Sequence, residues 1–136
     1  MTYLALDIGA RRIGVAVGST ELKIATPLRV IERSKLEHDA MRICALAEQY
    51  DAARIVVGLP RELDGAIGAQ AETVMRYAEH LRAILSLPLE FFDERYSTVE
   101  ALTRRRAAGV TDKRGRATID ASAATIILQD FLDAMV

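Results

Sequence analysis

The N-terminal segment contains two short apolar runs that are separated by a tight basic turn, with one acid at the end of the first run. Residues 4–6 and 13–17 are apolar, partly β-branched and bounded by glycines, which predicts the two strands of a hairpin. A strand that is apolar on both faces is typical of a central position in a covered sheet. The chain must therefore place Asp7 at the end of a buried strand.

A carboxylate in that position needs a partner. Removing it from water is costly unless it is paired or hydrogen-bonded, so a bound metal ion would explain Asp7. The alternative is that Asp7 accepts hydrogen bonds from the amides of turn residues 9–11, as aspartates in turns often do. This segment by itself leaves both explanations open.

The composition describes a globular protein. The chain has 136 residues, of which 51% are hydrophobic and 27% charged, so we expect one domain that spans residues 1–136. It contains no apolar run of membrane-spanning length and enters a predicted strand directly, from which we expect a cytoplasmic protein with no membrane partner. The single cysteine, Cys44, excludes an intrachain disulfide and a multi-cysteine zinc site.

A third strand and the first helix follow the hairpin. Residues 24–31 predict a strand, and Pro27 within it indicates an edge position because proline cannot donate to the ladder. Ser34 and Glu37 have the spacing of a capping box, which predicts the start of a helix. Apolar residues recur along this helix at helical spacing, so it should have one core-facing stripe, on which Cys44 falls. Residues 55–58, which follow Arg54, are apolar, and this pattern is typical of a buried parallel strand that comes after a crossover helix.

The second half of the chain alternates helices and strands. A long helix with one apolar stripe ends before Pro88, and residues 89–92 predict a fifth strand. Ser97 predicts the start of another helix, residues 109–115 a basic loop, and the last helix is expected to begin near residue 119. An antiparallel meander joined by parallel strands predicts an α/β protein with a mixed five-stranded sheet flanked by helices, in the RNase H topology.

Two further acidic positions repeat the placement of Asp7. The acidic pair at residues 93–94 directly follows the fifth strand. Asp120 precedes Ala124 and Ile127 by four and seven residues, which predicts that it lies on the core-facing side of the last helix. The alternative for Asp120 is an N-cap or first-turn role favoured by the helix dipole.

Acids at these places can converge, because the first strand of this topology is central and the fourth lies beside it. Clustered carboxylates repel one another at neutral pH, and a divalent cation removes that repulsion. Oxygen ligands with open coordination positions suit Mg²⁺ or Mn²⁺.

Basic residues are concentrated in one segment. Residues 95–116 contain seven basic residues and two acids, so this segment carries a net charge of +5 and the remainder of the chain −6. Such a segment is suited to binding phosphates, although a charge run is more often a solvated face.

Four segments together resemble the YqgF/RuvX family of RNase H-fold nucleases, which includes Holliday junction resolvases and pre-16S rRNA processing nucleases. They are Asp7-Ile8-Gly9, Val57-Gly58-Leu59-Pro60, Asp93-Glu94-Arg95 and Ile119-Asp120. Their order and spacing cover almost the whole chain. The sequence departs from the family pattern at Ala10, where a threonine or similar polar residue is usual, and at Arg116, where lysine is usual.

The resemblance implies a metal-dependent nuclease with Mg²⁺ or Mn²⁺, in which Asp7, Glu94 and Asp120 are both the catalytic residues and the metal ligands. It implies a nucleic-acid partner, either precursor rRNA processed at the 5′ end of 16S rRNA in ribosome biogenesis or branched DNA in recombination and repair, and a monomer or homodimer. The arginines expected to bind phosphates are Arg11, Arg12, Arg95, Arg104, Arg105, Arg114 and Arg116.

Two other classes of function fit parts of the sequence. Nucleotide-binding domains of the actin and hexokinase kind also open with an aspartate-glycine hairpin, but such ATPases close two domains over the nucleotide and this chain supplies one. A catalytically silent nucleic-acid-binding module would use the arginines alone. Tight ATP binding would favour the first class, and metal-independent RNA binding without cleavage would favour the second.

Overall fold

The computed structural model describes residues 1–60, 68–93 and 113–135, and for residues 113–122 it describes the backbone alone. In the described part, three strands come first and helices and strands then alternate, in the predicted order. They are β1 (Thr2–Ile8), β2 (Arg12–Ser19), β3 (Ile24–Glu32), α1 (Leu36–Gln49), β4 (Ala52–Leu59), α2 (Ala69–Ile84), β5 (Leu89–Asp93) and α3 (Lys113–Ala134).

The five strands form one mixed sheet in the order β3-β2-β1-β4-β5. β1, β2 and β3 pair antiparallel, whereas β4 pairs parallel with both β1 and β5. The predicted central position of β1 beside β4 is confirmed, as is the edge position of β3. The register of β2 and β3 shifts near Pro27, where Ala16 pairs with Pro27 and Val15 pairs with Arg29, so the strand bulges where proline cannot donate.

Each face of the sheet is covered by a helical layer, and the alternation of β1 assigns its side chains to the two layers. Leu4, Leu6 and Ile8 belong to the core that α1 and α2 cover. Tyr3 and Ala5 belong to the second core, which α3 covers with Ala124, Ile127, Leu128 and Leu132. Because successive side chains of a strand point to opposite faces, Asp7 belongs to the α3 face.

The predicted apolar stripes of α1 and α2 are confirmed. The buried positions on these helices include Ala40, Ile43, Ala47, Ala71, Val74, Ala78 and Leu81. Cys44 is partly buried against the first core, as its position on the stripe predicts. Among the described residues, no helix has both the length and the apolar character needed to cross a membrane.

Two predictions about helix starts are wrong. α1 has Lys35 as its N-cap residue without a side-chain cap bond, and the backbone N–H and hydroxyl of Ser34 donate to Asp39 instead (3.0 and 3.3 Å). α3 begins at Lys113, not near residue 119. The earlier start takes part of the predicted basic loop into the helix, where lysine, arginine and alanine are good formers and one glycine costs only about 1 kcal/mol. The helix predicted from Ser97 lies outside the described residues.

The C-terminal half of α3 is fastened to the turn between β2 and β3. Gln129 accepts a hydrogen bond from the backbone N–H of Ala25 (3.0 Å) and donates one to the carbonyl of Lys23 (2.9 Å). Lys23 also donates to the carbonyl of Met135 (3.1 Å). This turn lies at the end of the sheet where β1 begins, so toward its N-terminus α3 approaches the end where Asp7 lies.

Gly18 allows α3 to approach the sheet closely. A Cβ atom at this position would lie 2.8 Å from the carbonyl oxygen of Ile24 and 3.1 Å from Leu128 Cδ2.

We therefore expect Gly18→Ala to lower the free energy of unfolding by about 1–3 kcal/mol, because a backbone atom of β3 would have to move. Urea denaturation measures the change. Thr26→Ala, at an exposed position on β3, is the control and should change it by less than about 0.5 kcal/mol. A Gly18→Ala protein as stable as the wild type would contradict this packing.

Candidate active site

Asp7 lies near the carboxyl end of the central strand, at the end of the sheet where the three parallel strands β1, β4 and β5 finish. It pairs with Gly14 across β2, and its side chain is half-buried. β1, β4 and β5 end at Ile8, Leu59 and Asp93, and the last two are direct partners in the ladder. In open α/β sheets, ligands bind outside the carboxyl ends of the strands. Asp7 is therefore placed where a ligand would be expected.

The turn that follows β1 closes tightly on itself. The backbone N–H of Gly9 donates to the carbonyl of Arg12 (2.8 Å). A Cβ atom on Gly9 would lie 3.0 Å from the same carbonyl oxygen, so a larger residue there would press on the turn. Close backbone approach explains why glycine stands two residues after Asp7.

Arg33, the residue after β3, donates hydrogen bonds to the carbonyl groups of all three residues of this turn, residues 9–11. Its backbone N–H donates to the carbonyl of Arg11 (2.8 Å). Its Nη1 donates to the carbonyl of Gly9 (2.7 Å) and, at a longer 3.4 Å, to that of Ala10. Nothing in the local sequence pattern distinguishes this arginine from the others.

Arg33 is itself held by side chains from the helical layer. Its guanidinium lies 4.2 Å from the ring centroid of Tyr77, on α2. The Tyr77 hydroxyl donates to Asp39 Oδ2 (2.7 Å), and Asp39 Oδ1 accepts from Ser34. Asp39, on α1, is fully buried. A buried carboxylate is tolerated when it is hydrogen-bonded, and these donors satisfy both of its oxygens.

This network perturbs the ionisation of Tyr77. Burial raises the pKa of its hydroxyl well above the ordinary value, and the hydrogen bond to Asp39 and the charge of that carboxylate raise it further, against a smaller lowering by Arg33. The sequence does contain a signal for the buried acid. Asp39 stands four residues before Ile43, on the apolar stripe of α1, the same criterion that drew attention to Asp120.

The structure describes the side chains of two of the predicted phosphate-binding arginines. Arg11 and Arg12 are exposed at the turn, and Arg12 Nε lies 3.1 Å from Glu32 Oε1 across the paired strands. Arg95, Arg104 and Arg105 lie outside the described residues. Arg114 and Arg116 lie on α3 where the backbone alone is described.

The predicted metal ligands are described unequally. Glu94 directly follows Asp93 in the sequence and lies outside the described residues, and Asp120 occupies a backbone position in the first half of α3. Within residues 1–60, 68–93 and 113–135, no group of three or more His, Cys, Asp or Glu side chains could hold a metal ion. Of the three expected ligands only the side chain of Asp7 is described, so their convergence stays a prediction.

Comparison with known proteins settles the family. The profile of the RuvX family, described as "Holliday junction resolvase", matches residues 1–134. The chain belongs to the RuvX family. Membership confirms the resemblance seen in the four sequence segments and the expected class of enzyme, a nuclease that hydrolyses phosphodiester bonds.

Curated relatives support the same assignment. A protein of Chloroflexus aurantiacus that carries the name "Putative pre-16S rRNA nuclease" is 45% identical over 131 residues, covering 96% of this chain and 86% of its own. A protein of the same name from Anaeromyxobacter sp. (strain Fw109-5) is 41% identical over 133 residues, covering 98% and 97%.

Solved structures of low sequence identity share the fold. Thermus thermophilus RuvC in complex with a Holliday junction substrate matches with a TM-score of 0.59 at 13% identity, over 96% of this chain and 91% of its own. The fowlpox virus Holliday junction resolvase matches with a TM-score of 0.53 at 10% identity, over 99% and 100%. The predicted RNase H-like fold of this RuvX-family chain is thus confirmed.

Tyr77→Phe tests the buried network. Because the variant removes one donor to Asp39, we expect the free energy of unfolding to fall by about 1–3 kcal/mol near neutral pH. The raised pKa of Tyr77 adds a pH dependence. The wild type has the full benefit of the neutral hydroxyl below the unfolded-state pKa of about 10 and loses it as the pH rises above that value.

The stability difference between wild type and Tyr77→Phe should therefore shrink above about pH 10. Urea denaturation of both proteins between pH 7 and pH 11, roughly, measures it. A difference that stayed constant or grew over this range would contradict the assignment of the hydroxyl as a donor to Asp39.

Proposed function

We propose that residues 1–136 form a single nuclease domain that uses a divalent metal ion, Mg²⁺ or Mn²⁺, to hydrolyse phosphodiester bonds of precursor 16S rRNA in the cytoplasm, at the 5′ end of the mature sequence. The observation that carries the proposal is the position of Asp7, half-buried at the edge where the parallel strands end. The names of the relatives at 41–45% identity support the choice of substrate.

The geometry of α3 supports Asp120 as a partner of Asp7. Leu128 packs at the level of Gly18, which pairs with Tyr3. Eight residues toward the N-terminus of α3 correspond to about 12 Å of helix. The four residues from Tyr3 to Asp7 correspond to about 13 Å of strand. Because α3 runs opposite to β1, Asp7 and the backbone position of Asp120 are expected at about the same level, on the same face of the sheet.

The alternation of β5 argues against Asp93 as the third acid. Phe92 packs into the core beneath α3, whereas Phe91 packs against the core beneath α1 and α2. A strand with this alternation assigns Asp93 to the face opposite Asp7, so Asp93 is poorly placed to share a metal ion with Asp7, and Glu94 is proposed as the third acid on the family resemblance.

The chemistry of these residues suits a hard divalent cation. Asp7 supplies carboxylate oxygens, as Glu94 and Asp120 would, and oxygen donors are the ligands that Mg²⁺ and Mn²⁺ prefer. When bound, such an ion supplies an activated water and stabilises the leaving oxygen of an in-line displacement. The protein's part is to hold Asp7 at the end of a rigid strand and to bind the phosphate backbone. Arg11 and Arg12, exposed beside Asp7, would make those phosphate contacts.

Cleavage of branched DNA is the second candidate, and the description of the RuvX family favours it. Two symmetric cuts in a four-way junction are simplest for a two-fold dimer, which places two equivalent sites on opposed strands. A monomer in solution would suit the ribosomal RNA substrate better, so sedimentation in the presence of each nucleic acid separates the two candidates.

Asp7→Asn tests the site directly. The wild type and the variant are incubated with labelled precursor 16S rRNA, single-stranded RNA and four-way DNA junctions, in Mg²⁺, Mn²⁺ or chelator. We expect metal-dependent cleavage of precursor rRNA by the wild type and at least about a hundredfold loss in the variant, because one carboxylate ligand is removed while the fold is kept. Circular dichroism checks the fold.

Asp51→Asn is the matched control for this experiment. Asp51 is exposed and directly precedes β4, so it lies at the amino ends of the parallel strands, whereas Asp7 lies at their carboxyl ends. Its positive φ of 51° is one that asparagine also adopts readily. The control should cleave like the wild type. A folded Asp7→Asn protein with full activity would contradict the proposed site, and RNA binding without any cleavage by the wild type would favour a silent binding module.

Arg11→Met tests the phosphate contacts. If Arg11 binds one phosphate, the slope of log affinity against log salt concentration should decrease by about 1 for RNA, and binding should weaken for all sequences alike. Fluorescence anisotropy over a range of salt concentrations measures the slope. Arg76→Met, at an exposed position on α2, is the control and should leave it unchanged. An unaltered slope in Arg11→Met would exclude Arg11 from the interface.

A further inference from the structure

We propose that Arg33 is a positioning residue for the nuclease site, acting through the turn that follows Asp7. This inference rests on the proposed function, because it is the reaction at Asp7 that gives the position of the turn its importance. Arg33 does not need to touch the substrate for this role. It would determine where the backbone of residues 9–11 lies, and with it the directions of Asp7 on one side and of Arg11 and Arg12 on the other.

The hydrogen bonds of Arg33 are more than an arginine that only ends a strand would need. A structural arginine at the end of β3 would need only its backbone contact to Arg11, which continues the pairing of β2 and β3 beyond Arg12 and Glu32. Arg33 also directs its guanidinium back over 24 residues of chain to the carbonyl of Gly9. A planar fork with several donors can reach two neighbouring carbonyls, whereas a lysine ammonium acts as a point charge.

The guanidinium has a rigid support. The ring of Tyr77 lies beneath it, and the Tyr77 hydroxyl is fixed by the fully buried carboxylate of Asp39. Asp39 is fixed in turn by Ser34, the residue that follows Arg33. This closed path connects α2, α1 and the end of β3. It therefore transmits the rigidity of the helical layer to the turn beside Asp7.

Arg33 also balances the charge of the buried acid. Asp39 and Arg33 lie on either side of Tyr77, one bonded to its hydroxyl and the other stacked on its ring. A cation over an aromatic face gains electrostatic attraction, and more so where water is partly excluded. Arg33 is thus held in place by its charge as well as by its hydrogen bonds.

The test compares Arg33→Met with the matched control Arg42→Met. Arg42, on α1, donates to the carbonyl of Glu32 (3.1 Å), so it also binds a backbone carbonyl near the end of β3, and that carbonyl lies in the strand and not in the turn. Hydrogen–deuterium exchange of the Gly9 amide, followed by NMR, reports on the turn without requiring activity. The amides of Leu6 and Ile55, in the central strands, report on global stability in the same sample.

In Arg33→Met we expect the Gly9 amide to exchange about tenfold faster, the effect of losing one or two hydrogen bonds, while Leu6 and Ile55 change by less than about twofold. With precursor rRNA, kcat should fall by about tenfold or more, because Asp7 is misplaced, while the dissociation constant of the RNA should stay within about twofold, because Arg11 and Arg12 keep their charges beside the phosphates. Arg33→Lys should recover part of the loss, and Arg42→Met should match the wild type.

Three results would overturn the inference. The first is a Gly9 exchange rate and a kcat that both equal the wild-type values. The second is a Gly9 exchange rate that rises only in step with those of Leu6 and Ile55, which would make Arg33 a general stabiliser. The third is faster exchange at Gly9 with unchanged kcat. If the wild type cleaves nothing with metal, the proposed function fails separately, and the exchange of Gly9 alone decides whether Arg33 holds the turn.

Discussion

The structure depends on the burial of β1 on both faces, because that burial makes β1 the central strand and limits what can stand at its end. Leu4 and Leu6 face one helical layer and Tyr3 and Ala5 face the other, so no side of the strand is left for solvent. The next outward position on the α3 face is Asp7. A carboxylate becomes accessible only where the strand leaves the core, at the end of the sheet where the parallel strands β4 and β5 also end. The fold thus places Asp7 where α/β sheets bind ligands.

The turn beyond Asp7 shows how a loop can be as fixed as the strand before it. All three of its carbonyls accept hydrogen bonds from Arg33, and its glycine amide bonds back to Arg12. The support behind Arg33 is a buried, fully satisfied carboxylate, Asp39. Such a group is costly to bury unless every partner is in place, so the network tolerates little change in geometry. Rigidity of this kind is what a site needs when its groups must be held to a fraction of an ångström.

Local patterns were sufficient to predict the sheet and the helical stripes, because alternation and helical period are properties of short segments. Pro27 identified the edge strand for the same reason. The start of α3 at Lys113 was missed because a glycine inside a basic segment indicates a loop, whereas the lysine, arginine and alanine residues around it are good helix formers. Arg33, Asp39 and Tyr77 were not predicted to interact, since their contacts join residues 24 and 38 positions apart and carry no local signal. Within the candidate site, the place of Asp7 was predictable from its strand, and the convergence of the other two acids stays a prediction.

The most direct measurement is the location of the metal ion. Crystals of the wild-type protein grown with Mn²⁺ and measured near the manganese absorption edge would show the ion as an anomalous peak. We expect the peak about 2.1 Å from a carboxylate oxygen of Asp7, with oxygens of Glu94 and Asp120 in the same coordination shell. A peak elsewhere on the protein, or a well-ordered Asp7 with no metal beside it at saturating Mn²⁺, would contradict the assignment of this edge of the sheet as a metal-dependent nuclease site.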